Sequence, residues 1–446
     1  MAIAAALRGY RPVRLLPLSF LAVIVLGSLV LMLPGMTRDG VTRPLAAAFT
    51  ATSAVCVTGL TVVDTATYWT PLGQGVMLVL AQLGGFGIMS LATLLSLLAR
   101  GHLDLTSTIL VKESTKAGSL GSAVRLLRNV AMSMLVAESL VALVLTFRFH
   151  FGYGDGWARA IWRGVYHSVM SFTNAGFSLQ SDSIMGFVAD AWIIWPMALC
   201  VLAGSLGFPV FFELVGQWRR PSSWSVHTRL TVLGFAVLGV SGFLLFFAFE
   251  WTNPGTLGPL DDGAKVNAAV FGTVMPRSGG FNAVDYAQIR PETLVTTVIL
   301  MFIGGGSAGT SGGLKVTTFF LLAFVVSAEV RGQRDVTVGR KRIPQETQRL
   351  ALSVAVLSSG AVVVGTVAMV LLTEFPLDAL LFDVVSAFGT VGLSTGITGD
   401  LPASGQLMLM LLMYVGRVGT VTAVSALALR PMDNRYRLPE ERPIVG

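Results

Sequence analysis

The sequence predicts an all-α integral membrane protein made of four repeated units around one pore. Of the 446 residues, 53% are hydrophobic and only 12% are charged, a balance that excludes an ordinary soluble enzyme. Eight apolar stretches each reach the ~20 residues that a membrane-spanning helix needs. Four polar segments, each centred on a glycine, recur 104 to 117 residues apart, one between the two stretches of each unit.

Each unit is predicted to contain a transmembrane helix (M1), a re-entrant pore half-helix with its filter loop (P) and a second transmembrane helix (M2). The eight predicted spans are 15–33, 72–99, 126–149, 190–217, 229–251, 292–330, 349–373 and 405–430. The half-helices, at 46–57, 164–172, 265–275 and 377–388, are too short to cross the hydrocarbon core. The units are therefore expected at 1–100, 101–225, 226–340 and 341–446, in a pseudo-fourfold arrangement.

The four glycine segments are predicted to form a cation filter. Glycine adopts the left-handed backbone that lets successive carbonyls point one way, and such carbonyls replace the hydration shell of a monovalent cation. The negative end of each half-helix also favours a cation. The predicted filter residues are Val57, Thr58, Gly59, Asn174, Ala175, Gly176, Ser278, Gly279, Gly280, Thr390, Val391 and Gly392. Asp64 and Asp285, five residues after their glycines, are predicted to line the outer vestibule.

Basic residues predict the orientation in the membrane. With a cytoplasmic N-terminus, 21 of the 31 lysines and arginines lie on the cytoplasmic side of the eight spans and 8 on the outer side. This bias predicts that both termini are cytoplasmic and that the glycine segments face outward. The formal charge of +7 then reflects attraction to anionic lipid and requires no nucleic-acid partner.

The sixth apolar stretch is interrupted by a glycine-rich run, 304–313. Because glycine costs about 1 kcal/mol relative to alanine inside a helix, this run is expected to form a loop in the cavity below the filter. Its predicted functional residues are Gly304, Gly305, Gly306, Ser307, Gly309, Thr310, Ser311, Gly312 and Gly313. Lys315, just after it, fits either a latch for this loop or a residue that reaches the inner interface.

Arg417 lies in the middle of the eighth predicted span, where a charge is costly and is functional by default or paired. It is interpreted as a positive barrier below the filter. The alternative is a buried ion pair with Glu138, Glu213 or a carboxylate of the C-terminal tail. Glu138 and Glu213 themselves are interpreted as structural partners rather than ion ligands.

Three runs carry a resemblance to a known family: 52–65, 275–282 and 416–419. They resemble the Trk/Ktr/HKT superfamily of potassium transporters over essentially the whole chain, and the Ktr-type membrane subunits in particular. The resemblance implies a homodimer in a bacterial cytoplasmic (inner) membrane and identifies 304–313 as an intramembrane gate. It also implies potassium as the ion, because sodium-selective members have serine at the position of Gly59. Gly279 departs from the family pattern, in which alanine often stands, so sodium exclusion is less firmly implied for this loop.

The resemblance further implies a cytoplasmic octameric nucleotide-binding regulatory subunit of the KtrA type. That partner, and not this chain, would bind the nucleotide; no covalent cofactor is expected here. Its docking surfaces are predicted at 100–128 and 331–349, which are rich in lysine and arginine. Sodium coupling is left open, because no site for it can be derived.

Two other classes of protein share parts of these patterns. Gly309-Thr310-Ser311-Gly312 matches a motif of intramembrane serine proteases, whose serine needs a histidine to accept its proton. The four histidines, His102, His150, His167 and His227, lie in loops, at span ends or in a half-helix. An alternating-access carrier also uses repeats and broken helices, but usually in two inverted halves and not in four units. A potassium-conducting subunit that is not an enzyme is therefore the preferred interpretation.

Overall fold

The computed structural model describes residues 12–101, 119–339 and 341–419, and this part of the chain is almost entirely helical. We number the α-helices and strands in chain order. The elements are α1 Pro12–Leu31, α2 Pro44–Val55, α3 Thr65–Tyr68, α4 Pro71–Gly101, α5 Ser119–Tyr153, α6 Trp157–Thr173, α7 Ala191–Leu206, α8 Phe208–Gln217, α9 Val226–Glu250, α10 Asp262–Val274, α11 Pro291–Phe302, α12 Val316–Val330, β1 Thr337–Val338, β2 Lys341–Arg342, α13 Gln345–Leu372, α14 Leu377–Gly389 and α15 Ala403–Tyr414. A π-helical turn, Val415–Gly419, continues α15.

Four helices, α2, α6, α10 and α14, occupy the places of the predicted half-helices and form the centre of the molecule. Each is buried along most of its second half and ends just before a glycine segment. Their length is set by local signals: α2 begins with Pro44, which fits the first turn of a helix because that position needs no N–H donor, and Asp261 caps α10 by accepting bonds from Gly263 and Ala264. The longer helices pack around these four.

Within the described ranges, three helical segments are long and apolar enough to cross a membrane: Leu127–Tyr153, Val226–Glu250 and Gln345–Leu372. The bent pair α7 and α8 adds a fourth if the two form one span. Four shorter apolar helices, at Pro17–Leu31, Pro44–Val55, Pro291–Phe302 and Val316–Val330, are also present. The count of eight spans therefore stays a prediction; the eighth predicted span and the C-terminal tail extend past Gly419, outside the described residues.

The predicted span over 190–217 is not one straight helix. The chain bends by 104° between α7 and α8, at Gly207, whose φ is +88°. Pro209 follows in the first turn of α8, and proline has no N–H to continue the hydrogen-bond ladder of α7. The last carbonyls of α7 are thus left for another partner. The predicted interruption of 292–330 is present, as a non-helical segment between α11 and α12.

The basic segment 331–349 contains a small antiparallel hairpin, in which Thr337 pairs with Arg342 and Val338 with Lys341. Val336, Val338 and Ile343 are buried in a cluster with Leu230 and Leu321. This predicted docking segment is therefore a folded element packed against α9 and α12. In the other predicted docking segment, 100–128, residues 102–118 lie outside the described part.

A buried carboxylate, Glu250, ties the end of α9 to the start of α11. The side chain is fully buried and accepts bonds from the Arg290 N–H at 2.9 Å and the Asn253 amide at 2.6 Å. The hydroxyls of Thr256 and Thr293 also donate to it. Each carboxylate oxygen accepts from one N–H group, which can only donate, so neither oxygen can be replaced by an NH₂ group without the loss of a buried bond.

We expect Glu250→Gln to destabilise the protein. The amide would turn an N–H₂ group toward donors and leave buried groups unpaired, which costs about 2 kcal/mol. Thermal unfolding of the purified protein in nanodiscs should show a lower midpoint than wild type. Glu329→Gln, at an exposed position of α12, is the control; equal midpoints for both variants would contradict the assigned role of Glu250.

Candidate ion pathway

The four predicted filter glycines come together in one cavity. Gly59, Gly176, Gly280 and Gly392 all line a cavity of about 370 Å³, together with residues that follow them in each loop. The glycines lie far apart in the sequence, and the pore helices α2, α6, α10 and α14 bring them together by ending at the same place. The remaining predicted filter residues precede the glycines directly and are buried.

The loops touch each other in cyclic order. A Cβ atom built on Gly59 would lie 2.5 Å from the Ala175 carbonyl oxygen of the second loop. One on Gly176 would lie 2.7 Å from the Cα of Gly280 in the third loop, and one on Gly280 would lie 2.7 Å from the Val391 carbonyl oxygen in the fourth. A Cβ on Gly392 would clash with the Thr58 carbonyl oxygen, back in the first loop. The four loops therefore form a closed ring with no room for side chains at these glycines.

The backbone has the same unusual conformation in all four loops. Each glycine has a positive φ, from 67° to 96°, and so does the residue two positions before it. Those residues are Val57, Asn174, Ser278 and Thr390, with φ from 48° to 78°. Left-handed backbone is strained for a β-branched residue such as Val57 or Thr390. Strain of this kind persists only where the surroundings impose it and is concentrated at functional sites.

Hydrogen bonds to the pore helices fix the residue before each glycine. Its N–H donates to a carbonyl near the end of the pore helix in every loop, at 2.7 to 2.8 Å. The donor residues are Thr58, Ala175, Gly279 and Val391, and the acceptors are the carbonyls of Ser53, Met170, Met275 and Ser386. The carbonyl oxygen of the same residue lies beside the glycine of the neighbouring loop, within 3.2 Å of a Cβ atom built on that glycine. Four equivalent carbonyls are thereby placed on the ring.

Two serines and one inter-loop bond add to this support. The hydroxyls of Ser53 and Ser386 accept from the N–H groups of Gly59 and Gly392, at 3.0 and 3.1 Å. Ser278 donates from its hydroxyl to the Thr390 carbonyl at 2.6 Å, which links the third loop to the fourth.

The glycine-rich run 304–313 packs against the end of α7. The N–H groups of Gly306 and Thr310 donate to the carbonyls of Ser205 and Gly204, at 2.8 and 3.1 Å. These are the carbonyls that the break before Pro209 leaves unpaired. The run is closed by a bond from the Gly304 N–H to the Leu314 carbonyl, at 2.8 Å. The loop is therefore ordered by α7, and the break at Gly207 is part of its binding site.

The same run also touches the filter. A Cβ on Gly312 would clash with the Thr390 side chain, and one on Gly313 would lie 3.1 Å from the Cα of Gly389. Ser311 is buried, and its hydroxyl has no hydrogen-bond partner. Most of the run is buried, Ser307 and Ala308 being intermediate, and the Ser307 hydroxyl contacts that of Thr317 at 2.8 Å. None of these residues lines the cavity at the glycines; the run contacts the fourth loop at Gly389 and Thr390, before its filter glycine.

Arg417 is 2% exposed and bonds to two backbone carbonyls. One guanidinium nitrogen donates to Thr310 of the glycine-rich run, and the other to Gly84 of α4 at 3.3 Å. Within the described residues Arg417 forms no ion pair; the alternative partner in the C-terminal tail lies outside them. Arg417 thus joins the run to a helix of the first unit.

The other charged residues considered from the sequence have partners of their own. Glu138 accepts from the Gln82 amide at 3.0 Å. Glu213 accepts from Ser225 and Thr228. Lys315 donates from its ammonium group to the Ser311 carbonyl, a contact that suits a latch on the run rather than a side chain directed to the interface.

The two outer aspartates, although equally spaced from their glycines, have different surroundings. Asp64 lines the cavity, caps α3 by accepting from the Ala66 N–H, and accepts from the Ser181 hydroxyl of the second loop at 2.6 Å. Asp285 does not line the cavity; it is exposed and accepts from the Ala287 N–H at 2.9 Å. Of the two, only Asp64 lines this cavity.

The long apolar helices, the short central helices and the closed ring of glycine loops together are those of a membrane transport protein for cations. The family model of the TrkH cation transport proteins matches residues 16–437. The chain belongs to this family.

Curated relatives and a solved structure agree with that assignment. The chain is 36% identical over 440 residues to the Ktr system potassium uptake protein B of Bacillus subtilis (98% of this chain, 97% of the relative). It is 33% identical over 442 residues to the potassium/sodium uptake protein NtpJ of Enterococcus hirae (98% and 97%). The crystal structure of the potassium transporter TrkH from Vibrio parahaemolyticus matches with a TM-score of 0.73 at 19% identity, covering 93% of this chain and 84% of that one. These relatives are cation transporters and not enzymes, and the protease alternative is set aside.

Proposed function

We propose that this chain is the ion-conducting subunit of a potassium uptake system. The carbonyls of Thr58, Ala175, Gly279 and Val391 would replace water around K⁺. The observation that carries the proposal is the closed ring of four loops with identical left-handed positions. The relatives named as potassium uptake proteins supply the identity of the ion.

The glycine-rich run 304–313 would be the gate of this pathway. It would lie on the inner side of the ring, and it is held by the carbonyls at the end of α7. Arg417 would hold it closed and place a positive charge below the filter, and Lys315 would act as a second tie. Opening would require the bonds at Ser205, Gly204 and Arg417 to break together.

The four units 1–100, 101–225, 226–340 and 341–446 would surround the pore with pseudo-fourfold symmetry. The cyclic order of the loop contacts supports this arrangement. With both termini in the bacterial cytoplasm, the cavity at Gly59 and Asp64 would open to the outside, where a carboxylate attracts cations.

The chain would act as a homodimer with a cytoplasmic octameric regulator that binds nucleotide. Relatives named as parts of a Ktr system support the existence of a second component. The folded hairpin in 331–349 would be one docking surface and segment 100–128 the other. Crosslinks from an isolated regulator that fall only on outer loops would refute this assignment.

Sodium enters the proposal as a competing or coupled ion. One relative is named as a potassium/sodium uptake protein, and Gly279 replaces a bulkier family residue in the third loop. Flux must therefore be measured for both ions, and K⁺ flux must be measured with and without Na⁺.

We expect Gly59→Ser to lower the preference for potassium. The new Cβ would meet the Ala175 carbonyl oxygen and turn it away from the ring, so one of four ligands is lost. An about tenfold fall in the K⁺-to-Na⁺ flux ratio corresponds to about 1.4 kcal/mol. The measurement is uptake of rubidium or potassium, and of sodium, into proteoliposomes that contain only this chain.

Gly35→Ala is the control for this experiment. Gly35 has nearly the same φ, +88° against +95°, but nothing lies near its Cβ position. Equal K⁺-to-Na⁺ flux ratios in wild type and Gly59→Ser would refute a filter at the glycine ring. A wild type without preference for potassium would refute potassium as the selected ion.

A further inference from the structure

Two filter loops are tied to a buried titratable side chain in the pore helix behind them. Nε2 of His167, in α6, lies 3.2 Å from the Ser178 hydroxyl oxygen. Asp383, in α14, accepts from the Ser394 hydroxyl at 3.0 Å. His167 and Asp383 are both fully buried. Neither was singled out as a site residue from the sequence.

The two ties join equivalent positions of the second and fourth units. His167 and Asp383 each lie nine residues before their filter glycine, and Ser178 and Ser394 each lie two residues after it. The same position therefore holds a base in one unit and an acid in another, and both reach the same serine. Because different residue types make the same contact, the hydrogen bond to the serine matters for the loop more than the identity of the side chain that makes it.

Each serine also closes the turn at the outer end of its loop. The Ser178 hydroxyl accepts from the Gln180 N–H at 3.0 Å, and the Ser394 hydroxyl accepts from the Gly396 N–H at 3.0 Å. Such a hydroxyl bond to the backbone two residues later stabilises a turn. Each serine thus connects the turn to the pore helix.

Further bonds anchor the two pore-helix residues. Nδ1 of His167 lies 2.8 Å from the Arg163 carbonyl, which can only accept, so this nitrogen carries a proton. Asp383 also accepts from the Thr398 hydroxyl at 2.5 Å and the Thr395 N–H at 3.3 Å. Neither side chain can turn away from its loop without breaking a second buried bond.

The first and third loops lack this tie within the described residues. The corresponding pair in the first unit is Thr50 and Thr61, and no hydrogen bond joins them. In the third unit it is Phe271 and Asn282, and phenylalanine has no polar atom. Because the loops touch in the order first, second, third, fourth and first again, the second and fourth loops lie diagonally across the ring.

We propose that His167 and Asp383 are positioning residues that brace one diagonal of the filter and thereby set its selectivity. The inference rests on the proposed function of the ring as a potassium filter. A loop held before its glycine by the backbone bond to the pore helix, and after it by the serine, resists contraction around a smaller ion. The carbonyls of Ala175 and Val391 then stay at the separation that favours the larger cation.

The test removes the hydroxyl from the loop side, a one-atom change that leaves the buried imidazole and carboxylate in place. Ser178→Ala, Ser394→Ala and the double variant are compared with wild type for uptake of rubidium and of sodium in proteoliposomes. Each single variant is expected to lower the rubidium-to-sodium ratio about threefold, because the tie to the pore helix is lost together with the serine's turn bond, and the double variant is expected to lower it more than either. Ser241→Ala is the control, because that hydroxyl bonds only within α9, and it should keep the wild-type ratio.

A purely structural role predicts a different result, namely a lower midpoint of thermal unfolding with an unchanged ratio, and that result would overturn the proposal. Gly59→Ser is measured alongside. If Gly59→Ser loses selectivity while the serine variants keep it, the proposed role of His167 and Asp383 is wrong but the glycine ring remains the filter. If all of these variants keep the wild-type selectivity, the glycine ring is not the filter. Should a serine variant fail to fold, Asp383→Asn and His167→Gln carry the test: a lowered rubidium-to-sodium ratio is expected, and a wild-type ratio in both would overturn the proposal.

Discussion

Replacement of Gly176 with alanine is expected to reduce potassium flux through this chain about a hundredfold, which corresponds to about 2.7 kcal/mol. A Cβ at this position would lie 2.7 Å from the Cα and 3.0 Å from the carbonyl carbon of Gly280. Both are backbone atoms of the next loop, and that loop is held by the bond from the Gly279 N–H to Met275. Neither loop can move aside without opening the ring. Rubidium uptake into proteoliposomes measures the effect.

Gly154→Ala is a closely matched control. Gly154 has φ +71°, against +67° for Gly176, but no atom lies within 4 Å of its Cβ position. Both variants therefore carry the same left-handed strain, about 1–2 kcal/mol, and only Gly176→Ala adds the clash in the ring. Equal flux in the two variants would show that the contact between the second and third loops does not matter for conduction.

Replacement of Arg417 with glutamine is expected to raise potassium flux about tenfold in the absence of any regulator. The guanidinium joins Thr310 of the glycine-rich run to Gly84 of α4. Hydrogen bonds made by charged groups are worth about 1.5–3 kcal/mol each. Loss of these two hydrogen bonds would free the glycine-rich run to move away from the ring. Loss of the positive charge would also lower the barrier to a cation below the filter. The readout is the initial rate of rubidium uptake.

Arg417→Lys separates these two causes. Lysine keeps the charge but lacks the planar fork that reaches two acceptors at once. A wild-type rate in Arg417→Lys, with a raised rate in Arg417→Gln, would assign the effect to charge. Equal, raised rates in both would assign it to the joint between Thr310 and Gly84. A folded Arg417→Gln with unchanged flux would rule out Arg417 as part of the gate.

Some features of this site could be predicted from the sequence because they depend on local backbone. The glycines of the four loops mark positions that need a positive φ, and their recurrence showed that the loops are equivalent. The interruption between α11 and α12 was predictable for the same reason, since a run of glycines cannot hold a helix. In contrast, the break at Gly207 was missed, although Pro209 two residues later was a signal for it.

Other features could not be predicted because they join residues that are distant in the chain. Arg417 was interpreted as a positive barrier, with an ion pair to a carboxylate as the alternative; its hydrogen bonds go to the carbonyls of Thr310 and Gly84, 107 and 333 residues away. Asp64 and Asp285 have the same spacing from their glycines, yet only Asp64 lines the cavity. Which carbonyls are free, and which side chains face a cavity, depends on how the helices pack.

The sequence by itself determined the class of protein, the places of the four short pore helices and the positions of the four glycines. These follow from hydropathy and from the backbone that each residue type allows, both of which act over a few residues. Only the tertiary structure decided the closed ring, the packing of the glycine-rich run on the end of α7 and the ties of His167 and Asp383 to their loops. Those contacts depend on distances between helices, and the packing of the whole chain sets these distances.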